Sequence, residues 1–398
     1  MGKQKTQVEH EIALRVGARI RQLREIQRIS QIKLATEIGI RAGPLGWIEK
    51  GKHLPSGRVL YRLAKQLNVR IDDLFQEQNV WEESAAARDG KQPVMLPPMD
   101  NGINAGAEPL KSAHIICLSV AQALLKLETL CGVVKTSSLA LTIPFAPTER
   151  GAEYLAGRLR QDLGIGETVT HGYLEALESA GVRVIFLDMP EGCPTFSGYD
   201  PQNRNALIFV NSRLKKQPEL QLFRLAFELG RVCWYVRETG EGQGSGGPLP
   251  ENGAETLSEA EFARRFAAFF LMPARAVQAS VWQLGLSPVG WTWELLLRLK
   301  KRYGVSAQRF ALRLQALGLS WTDKQKKTPS AYRFKEEIEA FYDANGKSAE
   351  PGGTRPPLVM NGRLGDLLLC AERLKEKETA KAVHAVKRVL RQAGVRID

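Results

Sequence analysis

The chain has 398 residues, 43% hydrophobic and 25% charged, which excludes wholesale disorder and suggests two to four domains rather than one. Its net charge is +13, and no run approaches the roughly 18 apolar residues of a membrane-spanning helix. The N-terminal stretch MGKQKTQVEH is polar, so no secretory leader is expected.

The charge is unevenly spread. Residues 1–75 hold 15 Lys/Arg against 7 Asp/Glu, residues 322–398 hold 16 against 11, and the stretch between is neutral. A neutral middle with two basic ends suggests a core carrying modules that face a polyanion. For the C-terminal end, solvated helix faces explain the charge equally well. The five cysteines are scattered with no CxxC pair, which reads as reduced thiols of a cytoplasmic protein.

In the N-terminal part, Val16, Ile20 and Leu23 recur at helical spacing among Arg15, Arg19, Arg21, Arg24 and Arg28. Ser30 is the expected N-cap of a second helix, Gln31 to Ile38, and Gly39 its stop. A third helix is expected from about Ala42 to Lys50, then a turn through Gly51–Ser56. Two more follow, buried through Leu60, Leu63, Ala64 and Leu67, then Leu74 and Phe75. Five short helices with a tight turn between the second and third make a helix-turn-helix domain over 11–76.

These residues resemble the XRE/Cro-type DNA-binding family. The resemblance rests on Gly17–Arg21, Leu23-Arg24, Ser30-Gln31 before Leu34-Ala35, Gly39-Ile40, Ile48-Glu49-Lys50-Gly51 and Pro55-Ser56. It implies double-stranded DNA as the partner. The chain departs from the family at the start of the reading helix, where Ala42, Gly43 and Pro44 offer no hydrogen bonds to base edges. Ala42 can at most touch a thymine methyl. Arg41 and Trp47 are left to read bases, while Gln31, Lys50, Lys52 and His53 are the phosphate-contact candidates. So few base contacts from one module suggest a homodimer reading two half-sites.

Residues 77–108 lack sustained periodicity and contain prolines and glycines, so a linker is expected there. From 109 to 320 the pattern gives helices at Leu155–Leu163 and Gly172–Ala180. Buried strands follow at Val182–Leu187 and Ala206–Asn211, with Phe196–Tyr199 a candidate third. An apolar helix then runs from Leu220 to Val236.

This order, with Phe262-Ala263 through Leu271-Met272-Pro273 on a later helix, resembles the ImmA/IrrE metallopeptidase-like family over 150–320. The resemblance implies a zincin-like α+β domain in which a His-Glu-x-x-His helix and a later carboxylate hold zinc. In this chain the corresponding positions are Phe227, Glu228, Arg231 and Phe262. Phenyl rings do not ligate metal and a guanidinium repels it, so only Glu228 keeps its chemistry. Glu259 and Glu261 lie close by in sequence, and Arg231 is expected to pair with Glu228 one turn away. No metal or other cofactor and no catalytic residue is expected. The GxGxxG pattern of Gly242–Gly247 follows a helix and precedes Pro248, so it reads as a loop.

Two further helices, Trp291–Arg302 and Val305–Leu317, meet at Gly304. Residues 321–398 read as a basic helical region with a short helix near 332–343 and a long amphipathic helix from Leu364 to Arg391. Its apolar stripe fits either the core of this chain or a partner surface. The fold class expected is mainly α with a small β component (α+β). The function expected is a cytoplasmic DNA-binding transcriptional regulator, read as a repressor, with an inactive sensor or interaction domain. A protein or small-molecule effector at the middle domain is a further possible partner, and no membrane is expected. A zinc metallopeptidase that cleaves a DNA-bound repressor, and a DNA-tethered scaffold that recruits proteins, are the alternatives.

Overall fold

A computed structural model describes residues 12–14, 16–17, 20–21, 23–24, 29–67, 71, 74, 93–96, 107–133, 139–169, 172–239, 255–285, 291–319, 334–346, 348–358, 361–374 and 377–396. It divides into two compact units, residues 1–84 and 85–398. The architecture is mainly α with a small β component, as the sequence predicts, and among the described residues the β component is one four-stranded sheet.

In the first unit the described residues between 12 and 24 are helical and bury Ala13, Val16, Ile20 and Leu23. Helices α1 (Gln31–Glu37), α2 (Ala42–Glu49) and α3 (Gly57–Leu67) follow. The Ser30 hydroxyl accepts the Lys33 amide at 3.2 Å as the expected N-cap. Gly39, at φ +71°, turns the chain out of α1. Leu34, Leu45, Leu60, Leu63 and Leu67 close the core. Gly17 lies so near the end of α2 that a Cβ there would sit 2.0 Å from the Ile48 carbonyl oxygen. Of the expected fifth helix only Ile71 and Leu74 are among the described residues.

The second unit is built on a sheet in the order β1-β3-β4-β2, comprising β1 (Val94–Met95), β2 (Arg183–Leu187), β3 (Thr195–Asp200) and β4 (Asn205–Asn211). Strand β2 runs parallel to β4, and β3 pairs antiparallel with both β4 and β1. Side chains alternate between two cores. Val184, Phe186, Tyr199, Ala206, Ile208 and Val210 enter one. Ile185, Leu187, Phe196, Leu207 and Phe209 enter the other. With both faces covered, the strands read as continuous apolar runs.

The first face carries α5 (Glu149–Asp162), α7 (Pro218–Glu238) and α8 (Glu259–Leu271), with α6 (Tyr173–Ser179) leading into β2. The same core extends to α9 (Ala274–Trp282), α10 (Trp293–Tyr303), α11 (Ala307–Ala316) and α12 (Lys335–Asn345). The second face is covered by α4 (Ala107–Leu130), α13 (Gly362–Glu372) and α14 (Lys377–Gln392). Residues 109–130 of α4 are long and apolar enough by composition to cross a membrane, an exception to the expectation above. In the fold their apolar side, including Cys117, Val120 and Leu124, belongs to the second core.

Three boundaries differ from the sequence reading. Val94–Met95, inside the expected linker 77–108, is a strand pairing with Tyr199 and Gly198, because β3 would otherwise leave an open edge. The remainder of that expected linker lies mostly outside the described residues, as does the whole of Gly242–Gly247, read above as a loop. The expected single helix Leu364–Arg391 is two, α13 and α14, that pack on each other and on α4. One straight helix of that length would span about 40 Å and could not lay both apolar stripes on one small sheet. The described residues from 334 onward therefore pack into the two cores of the second unit, and the apolar stripes of α13 and α14 are core of this chain.

Asn361 ties this region to the sheet. Its side chain donates to the Phe186 and Arg396 carbonyls, both at 2.8 Å, and accepts the Phe186 amide at 2.9 Å, so it occupies the free edge of β2. Deeper in, Glu128 of α4 receives Arg183 of β2 at 2.6–3.0 Å, with Asp200 at 3.7 Å from the same guanidinium. Removing one partner of such a pair strands a buried charge. Glu128→Ala is expected to destabilise the second unit by about 3–5 kcal/mol, readable as a lower urea midpoint in equilibrium unfolding.

Candidate nucleic-acid interface and the Glu228–Arg231 centre

Helix α2 alternates by its own period between the core and solvent. Leu45, Ile48 and Glu49 are buried, while Gly43, Pro44, Trp47 and Lys50 are exposed and Ala42 is half-buried. Arg41 occupies the N-cap position with extended backbone and an exposed side chain that makes no capping bond. Trp47 is 51% exposed and meets His53 edge-on, with ring centroids 6.0 Å apart. The Lys52 amide donates to the Trp47 carbonyl at 2.9 Å, which folds the exposed Lys52 and His53 back beside α2. Arg41, Trp47, Lys50, Lys52 and His53 are thus exposed and Ala42 half-buried, and of these six Arg41, Lys50 and Lys52 are charged.

Gln31 is placed differently. Its Nε2 donates to Glu49 at 2.8 Å, and its side chain lies over Gly46. Glu49 also receives Arg24 through Nε at 2.6 Å and Nη2 at 3.1 Å, while Arg24 Nη1 donates to the Ile29 carbonyl at 3.0 Å. Arg24, Gln31 and Glu49 therefore lock the first helix, α1 and α2 together, with one N–H of the Gln31 amide engaged in that lock. Sequence reasoning singled out Glu49 as part of a motif but missed its bond partners, since a 25-residue separation carries no local signal.

In the second unit, α7 is buried almost all round because it lies between the sheet and α8. Glu228 points at β3, where its carboxylate accepts the Thr195 hydroxyl at 2.7 Å and the Ser197 hydroxyl at 2.6 Å. Arg231 Nη1 donates to the same carboxylate at 3.1 Å, and Arg231 Nε donates to Glu259 of α8 at 2.8 Å. Both Glu228 and Arg231 are 2% exposed. The expected one-turn pairing is present, with Glu259 as its outer partner. Glu261 instead forms a capping box with Ser258 at the start of α8.

Thr195 and Ser197 were missed. The available signal was two hydroxyl residues at i and i+2, but the candidate strand Phe196–Tyr199 stops short of Thr195; the observed strand Thr195–Asp200 places both on one face.

The zinc that the resemblance implies can be tested against this donor set. Phe227 is buried under the Arg224 guanidinium, 5.6 Å from its ring centroid. Phe262 stacks on Phe145 at 4.6 Å and touches Trp234 at 5.3 Å. The positions offer one carboxylate, one guanidinium and two phenyl rings, which do not fit a zinc ion. Among the described residues no cluster of three His, Cys, Asp or Glu side chains gathers elsewhere.

Comparison with known proteins covers both units. A helix-turn-helix domain model matches residues 17–80, and an IrrE N-terminal-like domain model matches residues 177–315. An HTH-type transcriptional regulator of Archaeoglobus fulgidus is 38% identical over 65 residues, covering 16% of this chain and 93% of the relative. A second from that organism is 34% identical over 67 residues, covering 16% and 94%. The HTH-type transcriptional regulator YazB of Bacillus subtilis is 38% identical over 58 residues, covering 15% and 84%. The apo form of the competence regulator ComR from Streptococcus vestibularis aligns with 94% of this chain and 98% of its own at 14% identity, with a TM-score of 0.16. The chain belongs to the XRE-type helix-turn-helix transcriptional regulators, DNA-binding proteins, and carries an IrrE N-terminal-like domain in its second unit.

Proposed function

We propose that this regulator is a cytoplasmic homodimeric repressor whose IrrE-like domain has lost peptidase chemistry and serves as a sensor or interaction module. One observation carries the loss of chemistry: Arg231, at the position of a second histidine, is buried against Glu228 and satisfied by Glu259. A guanidinium there occupies the space and the charge that a divalent cation would need. The carboxylate that would act as general base is held by two hydroxyls and a cation, so it has no water-activating role.

On the DNA side, Arg41 and Trp47 are the proposed base readers, with Lys50, Lys52 and His53 toward phosphates and Ala42 against a methyl group. Gln31 is withdrawn from that set in favour of holding Glu49. A surface with so few donors to base edges favours two modules on a two-fold site.

Metal analysis of the purified full-length chain is expected to find far less than one zinc per chain. One tightly held zinc per chain would overturn the reading. Arg231→Met is expected to destabilise the second unit by about 3–5 kcal/mol in urea unfolding, because it leaves Glu228 buried beside hydroxyls alone.

For DNA, salt titrations by fluorescence anisotropy are expected to show Lys52→Ala weakening all duplexes alike and lowering the salt slope by about one. Arg41→Ala should in addition reduce discrimination between sequences by about 1–3 kcal/mol. Light scattering should report a dimer for the full chain. A monomer at micromolar concentration, with and without duplex, rules that part out.

A further inference from the structure

The five cysteines divide by exposure. Cys117, Cys193 and Cys233 are buried, Cys131 is half-buried and Cys370 is exposed. The two with access to solvent stand far apart in the chain and meet in the fold, because α13 packs on α4.

Cys131 follows the last residue of α4, and its amide donates to the Leu127 carbonyl at 3.0 Å. Its thiol donates to the Leu367 carbonyl of α13 at 3.3 Å. In an α-helix a carbonyl points toward the next turn, where its own bond goes to the residue four ahead. Cys131 Sγ is therefore seated against the turn that holds Cys370 and Ala371. The Cα–Cβ bond of Cys370 leans toward the start of α13, back over the level of Leu367. Two thiols from separate helices thus share one turn. Burial, then the nearby Cys370, then Glu128 push the Cys131 thiol up.

An accessible thiol beside a second thiol is the arrangement in which oxidation stops at a disulfide. Cys370 is open to a small oxidant. Cys131 is partly covered and less of it is thiolate, which assigns it the second step. Cys117 and Cys193 also neighbour each other in the second core, but both are buried away from any oxidant.

We propose that Cys131 and Cys370 form a reversible disulfide when the chain meets a hydroperoxide, pinning α13 to the end of α4. The Cys370 sulfur attacks one oxygen of hydrogen peroxide and the O–O bond breaks. The thiol proton joins the departing hydroxide as water and leaves a sulfenic acid. The Cys131 sulfur then attacks that sulfur, the S–O bond breaks, and the second hydroxide takes the Cys131 proton as water. Both sulfurs are oxidised, the peroxide is reduced, and one disulfide and two waters result. A dithiol reductant restores both thiols by exchange. The proposal depends on neither DNA binding nor the loss of peptidase chemistry.

The test exposes the full-length chain to a small excess of hydrogen peroxide, blocks the remaining thiols and maps tryptic fragments without reductant by mass spectrometry. Each cysteine falls on a different fragment. Fragments 127–135 and 364–373 are expected as one linked species, two hydrogens lighter than their sum, which dithiothreitol separates. In a mixture of unlabelled and heavy-nitrogen-labelled chain, each linked species should be wholly light or wholly heavy, because the bond lies within one chain. Cys131→Ser keeps a hydroxyl donor for the Leu367 carbonyl, and in it Cys370 should go on to sulfinic acid. The oxidised chain should unfold at a higher urea concentration than the reduced chain, and Cys370→Ser, at an exposed position, should abolish that difference. The proposal fails if peroxide yields no link between these two fragments or links only Cys117 to Cys193. It fails equally if the link joins separate chains, or if the oxidised chain unfolds no later than the reduced one.

Discussion

A sheet whose strands are apolar on both sides has to be covered twice, and this requirement organises the second unit. Along β2 and β4 successive side chains enter opposite cores. Helix α7 takes one face, with α8 packed behind it and α5 against α8. The other is left for α4 and, far along the chain, for α13 and α14. The same need closes the edges of the sheet, with β1 on one side and the Asn361 side chain on the other. Once both layers are in place, α7 has no free side, and whatever its sequence carries at 227, 228 and 231 must be accommodated in a dry interior.

That constraint explains the chemistry of the Glu228 centre. Withdrawing a carboxylate and a guanidinium from water costs several kcal/mol each, and contact between them compensates only when the remaining polar atoms are also bonded. Here Thr195 and Ser197 complete Glu228, and Glu259 completes Arg231 at the margin, where it keeps some contact with solvent. Around this cluster Phe227, Phe262, Phe145 and Trp234 pack as ordinary aromatic core. The arrangement is a polar link between strand and helices, set among rings where a metal centre would need imidazoles.

The first unit uses a buried charge for a similar purpose. Glu49 gathers Arg24 and Gln31, so α2 is oriented by a bidentate ion pair and an amide bond as well as by the buried Leu45 and Ile48. This rigidity is paired with a sparse outward surface. Gly43 and Pro44 keep the start of α2 narrow, and Trp47 with His53 supplies most of its bulk. Such a surface suits shape and phosphate recognition better than a dense set of base-edge hydrogen bonds.

Local physics made much of this legible in the sequence. The Ser30 cap, the Gly39 turn, the leucine spacing of α3 and the apolar runs of β2 and β4 depend on neighbours a few residues apart, and each stands where the pattern put it. That Phe227, Arg231 and Phe262 carry no metal-donor atoms was equally readable, since residue type alone decides whether a side chain can coordinate metal. The Arg231–Glu228 pair followed from one helical turn. Tertiary structure alone decided the rest, because it rests on partners far apart in the chain. Thr195 and Ser197 became partners of Glu228 only when β3 met α7. Val94–Met95 became a strand only because β3 had an edge to fill. The break between α13 and α14 has no glycine or proline to announce it; two apolar stripes that must reach the same sheet impose it. Residue chemistry fixed what each position could do, and burial on both faces of the sheet decided which residues it would do it with.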